Sequence, residues 1–299
     1  MTSENEFPLA LKLALEETIS LYNDKKYIKT DPIFFPSSFK NPLDIEIVSL
    51  LSCFYAYGNV KAIQKFLSPI FNNLGPSPYE AFAKKTNAYY ECFQKISYYR
   101  FQTKIDNQNL LASLSKLIQK HHTEKQRGPI FENFFLNQSS KFEPEEGIKL
   151  FQLNMERSLM EVSNQKNISK GRRFLIGDPN ANSPKKRICL LLRWMVRRSF
   201  PDFGIYRQIK TSDLIFPLDV HIQRLIKILG ISKRKTYTLK DGIAVKEFFK
   251  KLNLDDPLLY DFYLTRVGMI QKCKGVKIPS ICNDCRLQGV CLVGSATGN

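Results

Sequence analysis

Apolar residues recur at helical spacing along almost the whole chain, and no alternating strand pattern of any length interrupts them. In the segment DIEIVSLLSCFYAYG, residues 44–58, apolar side chains fall on nearly every side of the predicted helix, which is typical of a helix at the centre of a bundle. Similar patterns predict helices over 8–22, 61–74, 78–84, 88–101, 107–121, 129–136, 144–163, 187–197, 220–229, 242–251 and 257–269. The sequence therefore predicts an all-α fold.

The length and the distribution of charge predict two domains. At roughly 100–200 residues per domain, a chain of 299 residues has enough material for two. Residues 164–187 form a basic connection that contains Asn and Pro, and residues 199–216 form a long loop. We expect a central helical domain over 44–198. We expect a second helical domain to be built from 1–43 and 199–299, with a cleft between the two.

The chain is strongly basic, with 45 Lys and Arg residues against 28 Asp and Glu and a formal net charge of +17. This surplus favours a polyanionic partner such as nucleic acid, although a genome-wide bias towards lysine gives the same number. Two basic runs are candidate contacts to DNA phosphates, the alternative being that they are solvated faces. Their members are Arg187, Arg193, Arg197 and Arg198 in the first run and Lys233, Arg234 and Lys235 in the second.

The sequence shows no targeting or membrane-spanning segment. The first fifteen residues carry acidic side chains where a secretory signal carries Lys or Arg. The longest uncharged apolar stretch, 47–60, is shorter than the ~20 residues that span a bilayer. We therefore expect a cytoplasmic, nucleoid-associated protein that does not bind membranes. A hydrophobic content of 43% with 24% charged residues excludes collagen-like, mucin-like and disordered classes.

Four of the seven cysteines fall within nineteen residues, in the pattern C-x8-C-x2-C-x5-C. They are Cys273, Cys282, Cys285 and Cys291. In a reducing compartment such a group is typical of metal ligands, and four thiolates suit either a [4Fe-4S] cluster or a tetrahedral zinc ion. A single short pair flanked by wider gaps favours the cluster, with zinc and unligated thiols as the alternatives. The other three cysteines are scattered in apolar helices and are predicted to be buried.

The segments PLDVHIQRLIKILG at 217–230 and DPLLYDFYLTRVGMIQ at 256–271, followed by the cysteine loop, resemble endonuclease III and its relatives, the helix-hairpin-helix DNA glycosylases. In that family an Asp-Thr-His-x-x-Arg-like segment opens a helix, and Asp219, His221 and Arg224 occupy those places here. The chain is more closely similar to an uncharacterised bacterial family with PLDxH and LRWMVR segments, itself a distant relative of the glycosylases. The resemblance implies a two-domain glycosylase-like architecture with a C-terminal four-cysteine metal loop.

The resemblance also implies which residues carry the chemistry. Asp219 would stabilise positive charge on the sugar, and Lys186, or else Lys185, would attack its C1′ atom. The region that would form the hairpin, FLIGDPNANSPKKRICLLLRWM at 174–195, departs from the family because it lacks the Gly-x-Gly turn. From the residues alone, the alternatives are that Asp219 is only a helix N-cap and that the two lysines are only phosphate contacts.

Several further residues are candidates for contacting a flipped base. The resemblance places His221 and Arg224 beside Asp219, and it places the segment from Tyr55 to Asn59, including Tyr57, where the family has a base-facing glutamine. Aromatic faces stack on bases, but tyrosines in an apolar helix are more often core residues. His221 is expected to support the site by hydrogen bonding rather than to act as an acid or base.

Together these features predict a monomeric DNA base-excision glycosylase that acts on a flipped, damaged base in double-stranded DNA. An AP-lyase activity would follow if a lysine forms a Schiff base. The rival interpretations are a non-catalytic DNA-binding module on the same fold and an RNA-acting or structural iron–sulfur protein. Geometry discriminates between them, because a glycosylase needs the Asp219 carboxylate and a lysine amine to line one pocket wide enough for a nucleobase.

Overall fold

The computed structural model describes residues 6–163 and 167–295, and within them the chain is helical and has no β-strand. The α-helices, numbered in chain order, are α1 Glu6–Tyr22, α2 Pro42–Phe54, α3 Val60–Leu74, α4 Pro78–Ala83, α5 Asn87–Lys95, α6 Lys104–Thr123, α7 Pro144–Ser163, α8 Lys170–Ile176, α9 Lys186–Val196, α10 Val220–Ile228, α11 Leu239–Lys250, α12 Leu259–Met269 and α13 Pro279–Cys282. The all-α prediction is confirmed. None of these helices is both long enough and apolar enough to cross a membrane.

Local sequence explains where several helices begin and end. The side chain of Asn41 caps α2, and Pro42 occupies its first helical position, where a missing N–H costs nothing. Thr103 and Asp106 form a capping box at the start of α6, each accepting a hydrogen bond from the backbone N–H of the other. Helix α3 ends at Gly75, whose φ of 74° lies in the region that favours glycine.

Most of the predicted helices have nearly the expected bounds, and four segments differ. The helix predicted over 44–58 ends at Phe54. The chain then turns at Gly58, whose φ of 98° lies in the region that favours glycine. The helix predicted over 88–101 ends at Lys95, and the one predicted over 129–136 is only a short 3-10 segment. The connection predicted over 164–187 contains α8, which the Ser169 side chain caps.

The helices pack around a continuous hydrophobic core. Helix α9 lies against α2, and α6 lies against both α4 and α7. Helix α12 packs against α10 and α1. The buried apolar side chains form a single cluster from Leu11 to Leu287, so the core is continuous across the predicted domain boundaries. The division into 44–198 and the two outer segments stays a prediction, of which residues 1–5, 164–166 and 296–299 lie outside the described residues.

Candidate active site

A cavity of about 450 Å³ lies where α9, α10 and α12 meet the turn that follows α2. Pockets that bind small ligands typically have volumes of ~300–1,000 Å³, so this cavity is large enough for a nucleobase. Its lining includes Asp219, Lys185, Lys186, His221 and Tyr57. Asp219 and the two lysines singled out in the sequence therefore line one cavity.

Asp219 is the N-cap of α10. Its Oδ1 atom accepts hydrogen bonds from the backbone N–H groups of His221 and Ile222, both at 2.8 Å. No group among the described residues donates a hydrogen bond to Oδ2. One carboxylate oxygen thus fixes the start of the helix while the other is available to a ligand, so the capping role and an active-site role are compatible.

The two neighbouring lysines differ in what holds them. The Nζ atom of Lys185 donates a hydrogen bond to the backbone oxygen of Asp178, and burial lowers the pKa of Lys185 although the Asp178 charge opposes the shift. Lys186 is the first residue of α9, and its Nζ has no hydrogen bond or ion pair with any described residue. Of the two amines in the cavity wall, the one on Lys186 is free to meet a ligand.

His221 lies in the cavity wall two residues after Asp219. Burial lowers the pKa of its imidazole, and the positive charges of Arg224, Lys186 and Arg266 lower it further, although the Asp219 carboxylate opposes the shift. The ring is therefore neutral at neutral pH, and it offers hydrogen bonds rather than charge.

The predicted base contact at Tyr55 is wrong, whereas Asn59 lies outside the cavity lining and its contact stays a prediction. Tyr55 is fully buried, and its hydroxyl donates a hydrogen bond to Oδ1 of Asn107 at 2.7 Å, because the end of α2 at Phe54 turns this side chain into the core. Asn59 is exposed, and its side chain caps α3 by accepting a hydrogen bond from the N–H of Ala62. In the described structure neither residue lines the cavity.

Tyr57 does line the cavity, and its ring belongs to a stack of aromatic and arginine side chains. The Arg187 guanidinium carbon lies 5.1 Å from the centre of the Tyr57 ring and 5.0 Å from that of Phe174. Both of its terminal nitrogens donate hydrogen bonds to backbone carbonyls, those of Phe54 and Phe174. Burial lowers the pKa of Arg187 to about 10. The predicted phosphate contact at Arg187 is therefore wrong, because this side chain braces the cavity wall.

The predictions for Arg193 and Arg197 are also wrong, because their side chains are only 2% and 1% exposed. Arg193 pairs with Asp202 and Asp261, and Arg197 pairs with Asp202 and Asp256. These ion pairs connect α9 to α12 through the loop that carries Asp202. Both guanidinium groups stabilise the interior and cannot reach a phosphate.

The predicted base contact at Arg224 is a further correction, since this residue does not line the main cavity of the described structure. Its Nη1 atom donates a hydrogen bond to the carbonyl oxygen of Cys273 at 2.6 Å. Its aliphatic part lies against Gly275, where an added Cβ would approach Arg224 Cγ to 3.0 Å. The residue predicted to contact substrate instead connects α10 to the start of the cysteine loop.

The remaining predicted phosphate contacts are exposed. They are Arg198, Lys233, Arg234 and Lys235. Arg234 is 73% exposed and lies 3.3 Å from Asp241, a distance at which an exposed ion pair contributes little to stability. These four side chains are available to a polyanion, and their role stays a prediction.

Sequence reasoning missed four buried polar residues of the cavity wall. Asp261, Thr265 and Arg266 lie on α12, and Gln152 lies on α7. Burial raises the pKa of Asp261 to about 6, although the Arg193 charge opposes the shift. A signal was present in the segment LLYDFYLTRVGM, because charged residues inside an otherwise apolar helix are rarely buried without a partner or a role.

The four cysteines of the tail line a second, smaller cavity with mainly apolar walls. The backbone N–H groups of Ile278 and Gly294 donate to the sulfurs of Cys282 and Cys291 at 3.5 and 3.4 Å. Burial raises the pKa of the Cys285 thiol, and repulsion from the other three cysteines raises it further. Among the described residues, no three or more His, Cys, Asp or Glu side chains are arranged to hold a metal ion.

Comparison with known protein families assigns this chain to one family. Residues 31–270, which are 240 of its 299 residues, match the model of a family described as a protein of unknown function, DUF2400. The chain belongs to the DUF2400 family. No curated protein and no solved structure matches it.

The DUF2400 region contains helices α2 to α12 and every residue that lines the main cavity, from Asp31 to Met269. It ends before Cys273, so the cysteine cavity lies beyond the matched residues. The family description assigns no activity to DUF2400, and an account of function therefore depends on the cavity itself.

Proposed function

We propose that the protein is a DNA glycosylase that removes a damaged base flipped out of duplex DNA into the main cavity. The observation that carries the proposal is that Asp219, Lys186 and His221 line one cavity that is large enough for a nucleobase. Base excision needs a carboxylate, a nucleophile and a pocket for the extruded base in the same place. The resemblance of residues 217–230 to the glycosylases supports the same function.

Asp219 acts on the sugar. Positive charge develops on the sugar ring as the glycosidic bond breaks, and a fixed carboxylate beside it stabilises that charge. The two backbone hydrogen bonds to Oδ1 hold the side chain in place. Because Oδ2 is already oriented, little reorganisation is needed in the transition state.

Lys186 supplies the nucleophile. The ammonium group of Lys186 gives one proton to the departing base, and the resulting amine bonds to C1′ while the electron pair of the glycosidic bond leaves with the protonated base. The amine then loses a proton, and opening of the sugar ring gives a Schiff base between Lys186 and C1′. Lys185 has a different role, because its hydrogen bond to Asp178 fixes the turn that precedes α9.

The exposed cations supply the binding to duplex DNA. A net charge of +17 favours association with a polyanion, and contacts to phosphates hold the duplex while the base leaves the stack. Because Arg187, Arg193 and Arg197 are engaged inside the protein, the phosphate contacts fall to the exposed residues Arg198 and 233–235.

The tail is proposed to hold a [4Fe-4S] cluster on Cys273, Cys282, Cys285 and Cys291, with zinc as the alternative metal. The proposal is supported by the four thiols lining one apolar cavity and by the backbone hydrogen bonds to two of the sulfurs, as in iron–sulfur sites, although the described side chains are not arranged to hold a metal ion. A bound cluster would stabilise the fold of the tail. It would support α10 through the hydrogen bond from Arg224 to the Cys273 carbonyl, and no step of base excision depends on it.

Borohydride trapping on a panel of duplexes, each with a single lesion, tests the proposal. Borohydride reduces a Schiff base to a stable amine, so the wild-type protein should become covalently bound to at least one duplex. Lys186→Ala should abolish the adduct. Lys185→Ala is the matched control and should retain it, since the Lys185 amine is bound to Asp178. If the wild type neither forms an adduct nor releases a base from any duplex, the protein is a non-catalytic DNA-binding module.

A further inference from the structure

The exposed aromatic side chains of this protein are concentrated at one place outside the main cavity. Among the described residues, four aromatic side chains are exposed, namely Tyr90, Tyr98, Phe101 and Phe174. Tyr98 and Phe101 are 74% and 58% exposed and lie in the loop between α5 and α6. Phe174 on α8 is 41% exposed, and the centre of its ring lies 4.7 Å from that of Phe101. Exposed apolar groups that lie together commonly mark a binding surface.

A tight turn in this loop is fixed from two sides. The backbone N–H groups of Tyr99 and Gln102 each donate a hydrogen bond to the carbonyl oxygen of the other, at 3.0 and 2.9 Å. The Tyr99 hydroxyl donates to the carbonyl of Tyr57 at 2.8 Å, and Nε2 of Gln102 donates to the carbonyl of Gly171 at 2.9 Å. Arg100, at the tip of the turn, has a φ of 51°, which favours glycine. Residues are kept in such conformations where the surrounding structure fixes them, and they cluster at functional sites.

The rings and Arg100 form one surface that adjoins the main cavity. The ring of Tyr57 lies 6.2 Å from that of Phe101 and is inclined to it by only 17°. The guanidinium carbon of Arg100 lies 5.7 Å from the centre of the Phe101 ring and 5.9 Å from that of Tyr57. Tyr57 also lines the cavity. We call the group of Tyr57, Arg100, Phe101 and Phe174 the aromatic surface.

The aromatic surface is surrounded by positive charge. The start of α8 lies against the loop, since a Cβ atom added at Gly171 would lie 2.8 Å from the carbonyl oxygen of Phe101. Residues 96–105 and 167–177, which form this part of the protein, contain no Asp or Glu. Three of their cations are exposed and form no ion pair with any described residue, namely Arg100, Lys104 and Lys170. The partner of such a surface is therefore an anion that also carries flat apolar groups.

We propose that the aromatic surface binds an unpaired stretch of a nucleic-acid strand, with its bases stacked on Phe101 and Phe174 and its phosphates beside the cations. Proteins that bind single strands combine aromatic side chains, which stack on the faces of bases, with cations that follow the backbone. Bases inside a duplex are stacked on one another and do not present their faces, so the strand bound here is single. This inference goes beyond base excision, because it adds a second binding surface and an affinity that does not depend on a lesion.

The test compares two single strands of equal length and charge. One is oligothymidine, and the other is the same sugar–phosphate chain without bases. Because the phosphates are identical, the ratio of the two affinities at one salt concentration measures what the bases contribute. The variants are Phe101→Ala, which removes a ring, and Phe101→Trp, which keeps one. Tyr90→Ala is the matched control, since Tyr90 is 49% exposed and its ring contacts Tyr89 rather than the aromatic surface.

Wild-type protein should bind oligothymidine about fivefold or more tightly than the baseless chain, because the stacking of even one base on an aromatic side chain contributes this factor. Phe101→Ala should lose most of this preference. Its affinity for the baseless chain should stay unchanged, which also shows that the variant is folded. Phe101→Trp and Tyr90→Ala should keep the preference of the wild type.

A fluorescence measurement locates the contact. The one tryptophan of the chain, Trp194, is fully buried, so Phe101→Trp adds an exposed reporter. Oligothymidine should quench the added emission and the baseless chain should not, because quenching requires a stacked base. The emission of the wild type should change with neither strand.

Equal affinity of the wild type for the two strands would overturn the inference, because only charge would then be recognised. An unchanged preference in Phe101→Ala would also overturn it, because the bases would then bind elsewhere. Binding to vesicles of anionic lipid that Phe101→Ala abolishes, without any preference for oligothymidine, would assign the surface to a membrane and overturn the inference as well. Borohydride trapping through Lys186 measures a separate event, so the proposed function succeeds or fails independently of these results.

Discussion

The imidazole of His221 on α10 lies directly against the backbone of Gly268 on α12. A Cβ atom added at position 268 would lie 2.7 Å from both Cβ and Nδ1 of His221, closer than real side chains approach one another. The absence of a side chain at Gly268 therefore sets the distance between the helix that starts at Asp219 and the helix that carries Asp261 and Arg266.

Gly268→Ala should accordingly destabilise the protein. Alanine is favoured over glycine inside a helix by about 1 kcal/mol, but overpacking of a close helix contact costs about 1–3 kcal/mol or more. We expect a lower free energy of unfolding in urea. Gly289→Ala is the control, because nothing lies within 4 Å of the added Cβ there, and it should change stability by less than about 0.5 kcal/mol. If the two variants were equally stable, α10 and α12 would be farther apart at Gly268 than the structure describes.

Helical periodicity predicted most of the fold because apolar faces repeat over many residues. It failed where a few polar residues determine the local backbone structure. Helix α8 has only seven residues, lies in a basic stretch, and is defined by the Ser169 cap. The apolar pattern after Phe54 continues through Tyr57, although the chain has already turned, because turn residues and helix residues in a core are equally hydrophobic.

The candidate site was predictable in part. The resemblance pointed to Asp219, Lys186 and His221, and these do line one cavity. Burial of individual charges was not predictable, because a run such as KRICLLLRWMVRR does not show which arginines face the interior. Arg193 and Arg197 both pair with Asp202, which lies in an irregular loop. Arg197 also pairs with Asp256, which is distant along the sequence, and helical periodicity predicts neither kind of contact.

Stability should depend on pH through Glu46. This carboxylate accepts hydrogen bonds from the N–H groups of Ile130 and Phe131, but burial raises its pKa from 4.5 to about 7. The contribution of Glu46 to stability is fully present below pH 4.5 and is lost as the pH rises through 7, because the folded protein must then hold a buried charge. The loss amounts to about 3 kcal/mol.

Urea unfolding of wild type and Glu46→Gln between pH 5 and 8 measures this dependence. The difference between the two stabilities should shift in favour of Glu46→Gln as the pH rises. Glu161→Gln is the control, since that carboxylate is exposed and its hydrogen bond with Lys116 lowers its pKa, away from this range. A constant difference between wild type and Glu46→Gln would contradict the assignment.

DNA binding should depend steeply on salt through the exposed cations. Replacing Lys233, Arg234 and Lys235 by Ala should flatten the slope of log affinity against log salt by about one for each phosphate that the variant no longer neutralises. The matched control replaces three lysines that are similarly exposed and paired with glutamates, namely Lys84, Lys95 and Lys116. If both triple variants flatten the slope equally, DNA binding reflects net charge rather than a defined surface.

Iron should be bound at the tail. Protein purified without oxygen should be brown and contain about four irons and four sulfides per chain. Cys282→Ser should lower the iron content and the melting temperature. Cys92→Ser, which changes a buried cysteine remote from the tail in sequence, should retain the iron. One zinc per chain and no iron would show that the site holds the alternative metal. Protein without any metal would contradict the proposed metal site.

The rate of base release by Asp219→Asn, compared with its stability, tests the central claim most directly. Asparagine caps a helix about as well as aspartate, so the free energy of unfolding should change by less than about 1 kcal/mol. Loss of the charge beside C1′ should cost ~3 kcal/mol in the transition state, which slows single-turnover base release at least a hundredfold on the duplex that wild type traps best. Asp255→Asn, an exposed residue outside the cavity, should leave the rate unchanged. The account is contradicted if Asp219→Asn releases the base at the wild-type rate and unfolds more easily, because Asp219 is then only a helix cap.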